Sequence, residues 1–237
     1  MEIDLIIQKK KEIHSSLMEF IDTTENIDIE KLIDDFEQQN YFDNKEEIVS
    51  ILQMVSKIAD NHHRMPNFIN KLGEIIHYLI QKIPHQITND EVYQIYKDNK
   101  RILLLLFEQG IIQPDQNIIN DINGKYDGNG FPYKHYLYSG IKNFITESES
   151  MMIEKEIKAK YKEEINIFIE KCRIGENDSY ISFLIRQDLV EEFISYTIRS
   201  STSLSSRIQP SIFETNSFLY QKNPTLIEYA FFFGSIQ

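Results

Sequence analysis

Glycine and proline are scarce in this chain, 8 and 6 among 237 residues. An all-β protein of that length needs more turn punctuation, so the shortage points to helices. A single cysteine, Cys172, excludes an internal disulfide framework and suits a reducing compartment. Cations are outnumbered, with 25 Lys and Arg against 37 Asp and Glu. The resulting net charge of −12 argues against a nucleic-acid partner, because displacing counterions from phosphates takes positive side chains. The one basic run, Lys9-Lys10-Lys11, reads as a solvated helix face. Long apolar runs are missing as well. Arg101-Ile102-Leu103-Leu104-Leu105-Leu106-Phe107 is the greasiest stretch and falls far short of the roughly 20 residues that span a bilayer. Glu2 and Asp4 precede any apolar run, so no secretory signal opens the chain. The expectation is a soluble cytoplasmic protein with no membrane partner.

Motifs that carry chemistry are equally absent. The sequence contains no glycine-rich phosphate loop, no His-Glu-x-x-His and no Gly-x-Ser-x-Gly. Asp121 to Gly130 invites a calcium-loop reading, but from Asp121 or Asp127 the sixth position is not Gly and the twelfth is not Glu. It reads as a loop, extending to Pro132. The adjacent His62 and His63 diverge by about 100° on a helix and cannot easily grip one ion. His77 and His85 lack ligand-rich neighbours, and Cys172 reads as a small buried apolar residue. No catalytic, cofactor-binding or metal-ligating residue is assigned.

What the sequence does have is helical spacing. Residues 2–22 carry Ile3, Ile6, Ile7, Ile13, Leu17, Phe20 and Ile21 on one stripe. A short helix is expected over 29–39. A third starts behind Asn44 with Glu46 and Glu47 in its first turn and presents Ile48, Ile51, Leu52, Val55 and Ile58. Pro66 suits the first turn of a helix holding Phe68, Leu72, Ile75, Ile76 and Leu79, closed before Pro84. Thr88-Asn89-Asp90-Glu91 fits a capping box leading through Val92, Tyr93 and Tyr96, and Gly110 ends the leucine run. Residues 149–173 read as one long charged helix, with Ile153, Ile157, Tyr161, Ile165, Phe168 and Ile169 as its stripe and Gly175 as its stop. Beyond it, short apolar helices alternate with Ser-rich and Asn-rich connections. The main boundary is therefore expected near Gly175, separating a helical region 1–174 from 175–237.

The final stretch, Thr225-Leu226-Ile227-Glu228-Tyr229-Ala230-Phe231-Phe232-Phe233-Gly234-Ser235, resembles the opening helix of an ankyrin repeat. Thr225, Ile227, Ala230 and Gly234 hold the matching places, whereas Leu226 replaces Pro, Glu228 replaces His and Phe231 replaces the second small residue. Thr225 and Glu228 can still form a capping box, and Ala230 is small enough for close packing. Upstream, Asp188, Val190 and Phe193 look like the turn and second helix of a degenerate repeat, with residues 179–185 as its first helix. The spacing from Asp188 to Ser235 exceeds the usual period of about 33 by roughly 14 residues. The Ser-rich loop and Ser211-Ile212-Phe213-Glu214 could supply that excess. Asp188-Leu189-Val190-Glu191-Glu192-Phe193, Pro210-Ser211-Ile212-Phe213-Glu214 and Thr225-Leu226-Ile227-Glu228-Tyr229-Ala230 together resemble an uncharacterised domain that accompanies ankyrin repeats in large protist protein families. Lys100 to Gly110 echoes the helical region that precedes it.

The expected fold is thus all-α, a helical bundle or solenoid of antiparallel helix pairs, ankyrin-like and degenerate at the C-terminal end. The resemblance implies a non-catalytic protein–protein interaction scaffold and brings no catalytic residues with it. Two other readings stand beside it: an enzyme or effector with an active site in residues 1–173, and a structural cap on a repeat array. The last repeat reads as incomplete, with Ile236 opening a second helix. An uncovered helix bearing Phe231, Phe232 and Phe233 is then expected to drive self-association.

Overall fold

A computed structural model of the protein describes residues 2–22, 29–42, 44–61, 68–82 and 87–235. His62, His63, Pro66, Pro84, His85 and Ile236 lie outside the described residues. Within them the chain is all-helical, with fifteen α-helices, one 3-10 turn and no strand. Contacts divide it into two compact units, Met1–Ile102 with Gln109–Gln113, and Leu103–Glu108 with Pro114–Gln237. The division falls within one helix, and Gly175 lies inside the second unit rather than between units.

The first unit contains α1 (Glu2–Asp22), α2 (Ile29–Gln38), α3 (Lys45–Asn61), α4 (Phe68–Lys82) and α5 (Asn89–Tyr96), then the start of α6 (Lys100–Glu108). The 3.6-residue stripes of these helices meet in one core. Leu17, Phe20, Ile33, Phe36, Ile48, Leu52, Val55, Leu72, Ile76 and Tyr93 are all buried. Each such side chain contributes about 1.5–3 kcal/mol of hydrophobic transfer. The stripe expected on α1 is only partly used: Ile13, Leu17, Phe20 and Ile21 are buried, but Ile6 and Ile7 stay exposed. Helix starts obey their caps. Asn44 Oδ1 accepts from the Glu47 N–H at 2.9 Å, and Thr88 with Glu91 closes the expected capping box on α5. A Lys45 contact at 2.5 Å, together with the Thr88 bonds, pulls the Glu91 carboxyl down to about 2. Tyr96, fully buried, donates its hydroxyl to the Leu52 carbonyl at 3.0 Å.

The second unit opens with the rest of α6 and continues through α7 (Gln116–Gly124), α8 (Tyr133–Tyr136) and α9 (Tyr138–Ile141). Asp115 caps α7 through the N–H groups of Asn117 and Ile118, both at 2.9 Å. The helix therefore runs through Asp121-Ile122-Asn123-Gly124, which the composition suggests as loop. Only residues 125–132 are irregular. Asp127 Oδ1 accepts from Asn129 and Phe131 N–H at 3.0 Å, closing the turn. Gly140 gives α9 its close approach to α6, since a Cβ there would lie 2.7 Å from the Phe107 Cβ.

The long helix expected over 149–173 is two helices, α10 (Glu147–Tyr161) and α11 (Ile165–Ile174). Lys162 adopts a left-handed conformation at φ 57°, donates to the Lys158 carbonyl and ends α10. Neither Gly nor Pro marks the break. Tertiary contacts favour it instead: at the corner the Tyr161 ring packs on Phe168, with centroids 5.0 Å apart, and meets His135 edge-on at 5.7 Å. Cys172 is buried, as its apolar neighbours suggest.

Candidate functional site

Four helices close the chain: α12 (Tyr180–Arg186), α13 (Val190–Ser200), α14 (Ser217–Lys222) and α15 (Leu226–Phe233). Ser179 starts α12 by accepting from the Ser182 N–H. The turn into α13 passes through Asp188 at φ 53°, a conformation that Asp tolerates better than most residues. Glu191 and Glu192 occupy the first turn of α13, where the helix dipole favours carboxylates. Thr225 and Glu228 form the anticipated capping box on α15. The Thr225 N–H donates to Glu228 Oε2 at 2.8 Å, and the Glu228 N–H donates to Thr225 Oγ1 at 3.3 Å. These bonds lower the Glu228 carboxyl below its usual range, with nearby Arg207 adding to the effect. Gly234, at φ 65°, closes the helix in a left-handed cap.

The inner face of α15 is well covered. Leu226 and Tyr229 join Ile185, Ile208 and Leu219 in a buried cluster, with Phe193, Ala230, Phe232 and Phe233 packed at its edge. Arg186 ties α12 to α15, donating from one nitrogen to the Asn177 carbonyl at 2.8 Å and to the Tyr229 hydroxyl at 3.0 Å. Residues 211–216 form a continuous buried segment. Ser211 donates to Asp178 at 2.8 Å, Thr215 donates to the Gly175 carbonyl at 2.7 Å, and Asn216 caps α14.

The outer face is a different matter. No residue of α13 is buried, although Val190, Ile194 and Ile198 recur on it at helical spacing. Ile198 is 72% exposed and Phe231 on α15 is 68% exposed. Between α13 and α15 lies an open, mainly apolar cleft of about 360 Å³. Val190, Phe193 and Ile194 form one wall, Ile227, Ala230 and Phe231 the other, with Leu184 and Ile185 of α12 at the base. Leu204 marks one end, where its carbonyl accepts from the Ile227 N–H; Asp188 and Ser235 mark the opposite end.

The structure brings most of the sequence-derived motif together. Asp188, Val190, Phe193, Ile227 and Ala230 all line the cleft, while Thr225, Glu228 and Gly234 close the two ends of α15. Ile194 and Leu204 line it too, although they lie outside that motif. Ile194 carries a sequence signal nonetheless, because it succeeds Val190 by one helical turn as Phe231 succeeds Ile227.

A second cluster involves titratable groups in the second unit. His135 is buried between Glu156, at 2.8 Å from Nε2, and the Tyr161 hydroxyl, at 3.1 Å from Nδ1. A neutral ring fits both neighbours by donating from Nε2 and accepting at Nδ1. Burial holds the imidazole below its usual range despite Glu156. Lys134, at 2.7 Å, is the main reason the Glu156 carboxyl is lowered, while burial raises the Tyr161 phenol. These contacts fasten α8 to α10.

Among the described residues, no group of three His, Cys, Asp or Glu side chains could hold a metal ion, and no helix is long and apolar enough to cross a membrane. No protein-family model, curated protein or solved structure matches the chain. Fold and site define an all-helical protein with an open apolar cleft between two helices.

Proposed function

We propose that this chain is a non-catalytic protein–protein interaction scaffold of the ankyrin-repeat type that its C-terminal segments resemble. In this reading α12, its turn and α13 form one degenerate helix pair and α15 opens the next. The observation that carries the proposal is the exposure of α13. Eleven residues fold into a helix with an apolar stripe and bury none of them, so that stripe is left for contacts outside the described core. The partners are proteins rather than nucleic acid, in keeping with the net charge of −12. A second copy of the chain joins them at high concentration, because Phe231 and Ile198 lie bare.

Site-specific photo-crosslinking tests the reading. A photoreactive phenylalanine analogue is placed at Phe231 on the cleft wall, or at Met151, an exposed residue of α10, in extract from native cells. Discrete protein adducts are expected from position 231 and not from 151. No adducts from 231, or the same diffuse set from both positions, would overturn the proposal.

A further inference from the structure

Resting on that reading, we infer that the cleft between α13 and α15 receives a single amphipathic helix from another protein, one that carries Lys or Arg at the end lying over Asp188. The shape comes first. Val190 with Ile194, and Ile227 with Phe231, are i,i+4 pairs on neighbouring helices and make two parallel ridges with a trough between them. A trough of this kind accepts the apolar face of a third helix, whose i, i+3 and i+4 side chains fill it. The lining spans Val190 to Ile194 and Leu226 to Phe231 give walls about 6–8 Å long, enough for roughly one to one and a half turns of the guest.

Charge then selects the occupant. Asp188 is the one charged residue lining the cleft among the described residues; Glu191 and Glu192 face away from it, beside Tyr180, Ser195, Tyr196 and Arg199. A single carboxylate therefore sets the charge at that end of the cleft. A second copy of a chain whose net charge is −12 meets like charge there and docks only at high concentration, whereas a cationic helix meets its complement. Asp188 also fixes direction, because only one orientation of a guest with its cations at one end sets them over it.

The test uses the full chain and two fluorescein-labelled helical peptides. Both have the same Leu and Ile stripe, one with lysines at one end and the other with glutamates in their place. Fluorescence anisotropy reads binding at low and high salt. The lysine peptide is expected to bind more tightly, by a margin that shrinks as salt screens the end charges. Phe231→Ser and Ile194→Ser change exposed side chains and should leave the circular dichroism spectrum intact. Each is expected to weaken binding about tenfold or more. Asp188→Asn keeps a residue suited to positive φ and removes only the charge. It should weaken the lysine peptide about two- to fivefold and leave the glutamate peptide unchanged or improved.

Equal binding of both peptides, or binding that Phe231→Ser and Ile194→Ser leave intact, would overturn the inference. So would a dimer of the chain that Phe231→Ser abolishes and that outcompetes the lysine peptide, since the cleft would then belong to a second copy. Each of these results leaves the interaction reading standing if position 231 still crosslinks to protein, so the two failures are distinguishable.

Discussion

Leu226 and Phe231 lie on different faces of α15, and truncating each to Ala should give very different results. Leu226 is 2% exposed inside the cluster with Ile185, Ile208, Leu219 and Tyr229. Leu226→Ala removes three buried carbons and leaves a cavity, at a cost of about 2–5 kcal/mol. For a chain of this size each kcal/mol lowers the melting temperature by about 2–4 °C, so the transition of the second unit should fall by roughly 5–15 °C. Phe231 is 68% exposed, so only about a third of its hydrophobic contribution is realised. Phe231→Ala should therefore cost about 0.5–1 kcal/mol and no more than about 4 °C. It should also reduce self-association, which Leu226→Ala should not. Differential scanning calorimetry supplies the first comparison, and sedimentation velocity at low and high protein concentration supplies the second. If Phe231→Ala destabilised the chain as much as Leu226→Ala, the outer face of α15 would be covered and the cleft would not be open.

Two other outcomes concern the second unit. Gly140→Ala sets a methyl group 2.7 Å from the Phe107 Cβ, an atom with no freedom to swing away. Urea denaturation should show a loss of about 1–3 kcal/mol, and an unchanged midpoint would mean that α6 and α9 do not approach so closely. Buried neutral His135 should make stability depend on pH. Its folded-state pKa lies below the usual 6.5, so between those two values the unfolded chain binds the extra proton. The contribution is complete above pH 6.5 and drains as pH falls toward the folded value. Glu156, also held low, loses its own contribution only below its usual 4.5. Melting temperatures between pH 5 and 7 should therefore slope less in His135→Gln, and equal slopes would place the titrating group elsewhere.

Local chemistry is readable from the sequence where it acts over a few residues. Thr88, Thr225 and Asn44 announce their helices because a cap needs only its own first turn. Most of the buried stripe on α3 and α4 is legible for the same reason, through periodicity alone. Contacts made across long separations are not. Nothing near Lys162 marks a helix break, since the cause is the packing of Tyr161 against Phe168 and His135. Asp121 to Gly124 look like loop by composition, yet the Asp115 cap and buried Ile118, Ile119 and Ile122 make them helical. The cleft is half visible. Resemblance points to Val190, Phe193, Ile227 and Ala230, but that these residues face one another across a trough needs the folded chain.

The buried segment 211–216 also decides where this chain can change length. Its anchors reach back to Gly175 and Asp178, and every residue in it is enclosed. An inserted residue would pull Ser211 or Thr215 off its partner and strand a polar group away from water. Residues 201–203 are connected differently. They lie on the surface, and doubling such a loop costs only about 0.6 kcal/mol of closure entropy. Growth of the connection between α13 and α15 is thus confined to its first half, beside the Leu204 end of the cleft. Extra residues accumulating there can extend one wall of the trough without disturbing the helices that form it.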